Sequence, residues 1–266
     1  MKNIAFSALM AAGCLYSGQA SADTCIGTCG SGSPNGVVTS PPAFGPGYQY
    51  ISTVGGLSGA GQIPGVAGGT IGSEFLTSVF TATTGDSLNF YFNYVTSDGS
   101  GSFTDYAFAE LLNNGIHAAW LFTGRTTPSG NTSPGFGLPA NDSVLTPATT
   151  AIVSGAPVWS QLGGSSGSCY AAGCGYTGWI GSQYTLAGAG AYQLRFGVTN
   201  VGDTAYQSGL AFAGVTINNV PVGAVPEPAT WAMMLLGFGL VGGVMRRKIR
   251  QSEINFTARV RALSEL

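Results

Sequence analysis

"DSLNFYFNYV", residues 86–95, alternates apolar and polar side chains along its length. Leu88, Phe90, Phe92 and Tyr94 fall on one face and Asn89, Tyr91 and Asn93 on the other, the period of a half-buried strand entered through the Gly85-Asp86 turn. Downstream, "DYAFAELL" and "AAWLFTGR" flank Asn113-Asn114-Gly115, a step suited to the positive φ angles of a two-residue hairpin turn. "YQLRFGVTN" resumes the alternation with Tyr192, Leu194, Phe196 and Val198 inward, and "SGLAFAGVTI" supplies a last strand. With 43 Gly, 13 Pro and 8% charged residues in 266, these runs predict an all-β fold, a single jelly-roll-like β-sandwich over residues 73–220.

Around that domain the composition changes. Residues 23–72 are rich in Gly, Ser and Pro and cost too much entropy to order alone, although "YQYISTV" (48–54) alternates well enough to be an edge strand of the sandwich. The stretch 126–182 holds many Pro and Gly residues and two cysteines, and reads as an elaborated loop region.

Residues 1–22 carry one positive charge, an apolar run from Ile4 to Tyr16 and Ala20-Ser21-Ala22, the layout of a secretory signal peptide for the Sec route. Removing it leaves Cys25, Cys29, Cys169 and Cys174. Four cysteines allow three pairings; the short spacings in "CIGTC" and "CYAAGC" favour two local loops, Cys25 with Cys29 and Cys169 with Cys174. An oxidising compartment and the lack of paired C-x2-C spacing argue against zinc. Between residues 23 and 224 only Arg125 and Arg195 oppose eight carboxylates, a formal charge of −6, which excludes nucleic acid as a partner.

The other end is different. After a linker with a Pro-Glu-Pro step (221–228), residues 229–245 contain no charge, and 17 residues of helix reach ~25 Å, enough for a thin bilayer core. A transmembrane helix is therefore expected there, with Arg246, Arg247, Lys248 and Arg250 as stop-transfer cations heading a basic cytoplasmic tail (246–266) and the body outside the inner membrane. Pro226 and Pro228 are expected to keep the motif extended ahead of that helix.

Pro226, Glu227, Pro228, Trp231 and Ala232, followed by a glycine-containing apolar run and the arginine cluster, resemble the PEP-CTERM sorting signal of exported bacterial proteins in its PEPxxWA form. That resemblance implies processing by exosortase, a membrane cysteine protease-transpeptidase, in bacteria that often make exopolysaccharide, and a final place at the cell surface or outside the cell. The chain departs from the pattern in continuing for 16 residues after Arg250. The body also resembles β-sandwich domains of PEP-CTERM proteins, through "GDSLNFYFNYVTSDG", "DYAFAELL" and "DTAYQSGLAFAGV", with Gln207 and Ala213 where aspartates are expected. No enzymatic activity follows from it.

Strings suggesting chemistry fail on context. Gly237-Phe-Gly239-Leu-Val-Gly242 matches a dinucleotide fingerprint but lies in the apolar run without a preceding strand, and the motif around Ser165 lacks the strand-to-helix setting of a hydrolase nucleophile. No cofactor is expected. Asp98, Asp105 and Glu110 are the weak Ca²⁺ candidates; the reading preferred here is a turn aspartate, a strand-start cap and a solvated glutamate, with no metal bound. Trp159, Tyr170, Tyr176 and Trp179 cluster around the second cysteine loop as a candidate platform for sugar rings. The leading expectation is an exported, non-catalytic surface or extracellular-matrix protein processed by exosortase; a carbohydrate-binding module for exopolysaccharide and a secreted hydrolase are the alternatives.

Overall fold

The computed structural model describes residues 22–43, 45–99, 101–132, 134, 137–149, 151–222 and 227–263. The expected signal peptide lies outside them except for Ala22. By contacts the chain divides into two units, 1–223 and 224–266.

In chain order the strands are β1 (Thr24–Ile26), β2 (Thr28–Gly32), β3 (Tyr48–Ser52), β4 (Leu57–Ser58), β5 (Gly69–Leu76) and β6 (Phe80–Ala82). Then follow β7 (Ser87–Thr96), β8 (Tyr106–Asn113), β9 (Ile116–Arg125), β10 (Val144–Thr146) and β11 (Val153–Ser154). After a 3-10 turn (Ser160–Ser165) come β12 (Gly175–Tyr176), β13 (Ile180–Thr185), β14 (Gly190–Val201), β15 (Ser208–Ile217) and β16 (Val220–Pro221).

They form two antiparallel sheets. One has the order β1-β5-β14-β8-β9, with β4 and β6 attached; the other runs β10-β13-β7-β15-β3-β2, with β11, β12 and β16 attached. The eight principal strands cross from sheet to sheet at every step except the β8–β9 hairpin, giving sheets β3-β15-β7-β13 and β5-β14-β8-β9. That order is a jelly roll, two interlocked Greek keys.

The sequence alternation explains the core. Leu88, Phe90, Phe92 and Tyr94 from β7 meet Leu194, Phe196 and Val198 from β14, with Leu210 and Phe212 from β15, between the sheets. Phe196 and Phe212 stack across the gap, ring centroids 3.9 Å apart. The hairpin turn is as expected: Asn113 pairs with Ile116, while Asn114 and Gly115 hold φ of 51° and 77°.

Three features differ from the sequence reading. Residues 23–72 are not a prelude to the sandwich: they supply β1 to β4 and begin β5, and β3 lies between β15 and β2, so "YQYISTV" is not the edge. Polar Gly/Ser runs concealed this because their strands are short and take their order from partners far along the chain. The alternation of β7 also ends at Phe92, beyond which both faces are buried, because Trp159, Leu162 and Val38 cover the outer face around Val95.

The third difference is C-terminal. Helix α1 (Glu227–Leu263) begins inside the motif and runs on through the cations. Pro228 falls in its first turn, where a missing N–H breaks no helical bond, so the motif is not wholly extended. Among the described residues no helix is long and apolar enough to cross a membrane. The expected transmembrane helix is corrected to a helix with a short apolar stretch: 17 uncharged residues fall below the ~20 of a usual span, and charges follow without a break.

Candidate functional site

The three body segments quoted above converge at one end of the sandwich. Ser208 Oγ, starting β15, donates to Asp105 Oδ2 and approaches Thr96 Oγ1 of β7, each at 2.6 Å. Val201 N–H donates to Asp105 Oδ1 at 2.9 Å, and Tyr94 Oη donates to the Asp105 carbonyl at 2.8 Å. Asp105 is wholly buried, and desolvation pushes its carboxyl well above the usual carboxylate range, against the hydrogen bonds from Ser208 and Val201. Gln207 closes the network, accepting from Thr53 Oγ1 at 2.6 Å and donating to the Thr204 carbonyl at 2.8 Å. An aspartate there could accept but not donate. The segments thus form a structural lock, and Asp105 is far more than a strand-start cap.

The structure does not gather Asp98, Asp105 and Glu110 into one cluster. Asp98 is buried beside the lock, Glu110 lies on β8 among different partners, and the described residues contain no cluster of three His, Cys, Asp or Glu able to hold a metal.

Nor is Glu110 solvated. Its side chain, 4% exposed, lies between Arg195 Nη2 at 2.5 Å and His117 Nδ1 at 2.7 Å on the outer face of the β5-β14-β8-β9 sheet. Arg195 also approaches Glu74 at 3.7 Å and sits over the Phe108 ring, 5.2 Å from its centroid. Burial raises the Glu74 carboxyl and the Arg195 charge lowers it, with burial the stronger. Two β-bulges in β9 put His117 and Trp120 on the face of Glu110, their rings 4.7 Å apart, although residues three apart in a plain strand face opposite ways. Sequence reading missed this cluster because bulges break the period on which it relies; Arg195 opposite Glu110 in the β8–β14 register is the signal that pairing could have supplied. Chemically the cluster orients an imidazole. Among the described residues, no hydroxyl or thiol is bonded to His117 to be activated by it.

The four-residue aromatic platform does not exist as a unit. Trp159 is fully buried and donates from Nε1 to Tyr48 Oη at 3.0 Å, filling the small core over Val95. Trp179 and Tyr176 are half-buried around that core, and Trp179 Nε1 donates to the Thr39 carbonyl. Tyr170 alone stands out, 50% exposed.

Both expected disulfides are present, Cys25–Cys29 and Cys169–Cys174. The first joins β1 of one sheet to β2 of the other across Gly27, whose φ of 82° suits the sharp change of sheet. The second closes a loop packed against the 98–99 turn, where a Cβ on Gly99 would meet Cys174 N at 2.2 Å.

The remaining candidate is C-terminal. Pro226 lies outside the described residues, while Glu227, Pro228, Trp231 and Ala232 fall in the first turns of α1 and Arg246, Arg247, Lys248 and Arg250 in its middle. The family model described as the PEP-CTERM protein-sorting motif matches residues 224–250. This segment is a PEP-CTERM sorting motif. No curated protein matches the chain. Among solved structures, the chain is similar to the K1 cleaved adhesin domain of Lys-gingipain from Porphyromonas gingivalis W83, at 10% identity over 73% of this chain and 89% of that one, with a TM-score of 0.35. The K3 cleaved adhesin domain of the same protein gives 10%, 71%, 90% and 0.32, and the alginate lyase from Corynebacterium sp. 9%, 64%, 76% and 0.31. Overlaps this loose leave function to the residues of the chain itself. Outside the PEP-CTERM motif, Ala213 lines a cavity of about 440 Å³ with Tyr48, Gln49 and Val215 and brings no charge to it.

Proposed function

We propose that the protein is exported by the Sec route, held at the inner membrane by its C-terminal segment, cut by exosortase at the PEP-CTERM motif, and released as a non-catalytic jelly-roll domain at the cell surface or in the extracellular matrix. The observation that carries the proposal is the match of residues 224–250 to the sorting-motif model. Two disulfides in a chain with so few body charges suit an oxidising exterior. The apolar stretch of α1, short for a permanent span, suits a temporary hold in which the cations stay inside.

The test is Glu227→Gln in a host with the cognate exosortase, followed by fractionation and size. The substitution leaves the apolar stretch and the cations unchanged, so membrane association is expected to persist while the full-length form accumulates. Processing equal to wild type would sink the proposal that this acid is read. Replacing Arg246, Arg247, Lys248 and Arg250 together is expected to weaken membrane retention.

A further inference from the structure

We propose that Phe103, Tyr170 and Tyr206 form a binding site for a neutral saccharide chain at one end of the jelly roll. Phe103 stands shortly before β8, Tyr170 in the disulfide loop 169–174, and Tyr206 in the 202–207 loop between β14 and β15. The Tyr170 ring lies 5.9 Å from Phe103 and 5.0 Å from Tyr206, yet half of its surface stays open. Of the platform read from sequence only Tyr170 belongs to this site; its companions are new.

The backbone that carries the rings is anchored, and the rings pack on one another. Tyr170 N–H donates to the Ser97 carbonyl at 3.0 Å, and the Cys169–Cys174 bridge closes the loop around it. Gly202 packs so closely under Phe103 that a Cβ would sit 2.9 Å from the ring. Tyr206 holds a φ of 50°, a region that bulky residues seldom occupy and whose strain the fold around it must sustain. Rings on an anchored backbone and packed against each other lose less entropy on binding than free ones, the condition for useful affinity from a small patch.

Size and charge select the ligand. Three side chains are far below the ~800 Å² per partner of a stable protein interface, whereas the C–H face of a single sugar ring needs only one aromatic face. The rings meet at 88° and 48°, a faceted notch rather than a shelf, which fits a single soluble chain better than a flat crystalline surface. Asp203 in the same loop and the body charge of −6 disfavour acidic polysaccharides. This inference does not depend on exosortase processing.

Electrophoresis of the full-length protein in detergent, through native gels containing hydroxyethylcellulose, laminarin or dextran, tests it, with an alginate gel as the anionic comparison. Retardation is expected in at least one neutral gel and not in alginate. Tyr170→Ala should weaken it at least about tenfold and Tyr206→Ala in the same direction, while Tyr170→Phe keeps it within about twofold. No retardation in all three neutral gels, stronger retention by alginate, or undiminished binding of Tyr170→Ala overturns the proposal. If Tyr170→Ala lacks its disulfides or melts early, nitration of Tyr170 in the wild type decides: the polysaccharide that retards the protein should protect the ring, and failure to protect it overturns the site.

Discussion

Asp105 shows how a single buried group sets a pH dependence. Its pKa is raised in the folded state, so the native protein holds the proton more tightly than the unfolded chain. Its contribution to stability is then full below the ordinary aspartate range and is lost as pH rises through the elevated folded value. Asp105→Asn keeps the shape and can still bond to Ser208, so melting curves across pH 4 to 9 should flatten relative to wild type; an unchanged pH slope would show that the lock does not hold the proton. Glu110 makes a different prediction. Glu110→Ala strands Arg195, 19% exposed, beside a distant Glu74, and urea unfolding should show a loss of about 3 kcal/mol. His117→Ala, at a half-exposed position, should cost under about 1 kcal/mol. Trp159→Ala, in a site with no exposure, should cost about 3 to 5 kcal/mol, as expected for a core plug and not for a sugar platform.

At the scale of elements, what could be read in the sequence follows the rule of period two. β7, β14 and β15 were visible because their inward faces carry Leu, Phe, Tyr and Val at alternate positions, and the β8–β9 hairpin because of its Asn-Gly turn. β2 and β5 were not, since "TCGSG" and "GTIGSEFL" owe their strand state to pairing across the sheet. Bulges in β9 hid the His117–Glu110–Arg195 cluster, and Phe103 and Tyr206 drew no notice because loop ends meet only in three dimensions. The cysteine loops, by contrast, are local and were read correctly. Replacing Cys169 and Cys174 by Ser should lower stability by about 2 kcal/mol, because a loop of six residues restricts the unfolded chain only slightly. Unfolding of the double variant in denaturant measures this directly, and a loss of 5 kcal/mol or more would mean that the loop carries more of the fold than its length explains.

For the molecule as a whole, the jelly-roll order makes long-range pairing the rule: β3 at residues 48–52 pairs with β15 at residues 208–217. Such a topology folds slowly, since loop closure precedes the contacts that reward it. Deleting residues 23–54 would remove β1 to β3 and leave β15, with Leu210, Ala211 and Phe212, as an open edge. That variant is expected to aggregate on size-exclusion chromatography, whereas a monomeric product would show that the N-terminal strands are dispensable.

The same pairing acts as a clock on export. On the proposed export route β3 would emerge early and wait for β15, the last long strand, so the β3-β15-β7-β13 sheet would close only when nearly all of the body is outside. Ile217 is followed after six residues by the start of the sorting motif at 224, a stretch that reaches at most ~25 Å when extended, less than the thickness of a bilayer core. On the proposed export route, β15 would therefore pair while the motif is still reaching the membrane. Under the proposed route, folding of the body and arrest of the motif would act on the same few residues, and the protease would receive a segment loaded from both sides.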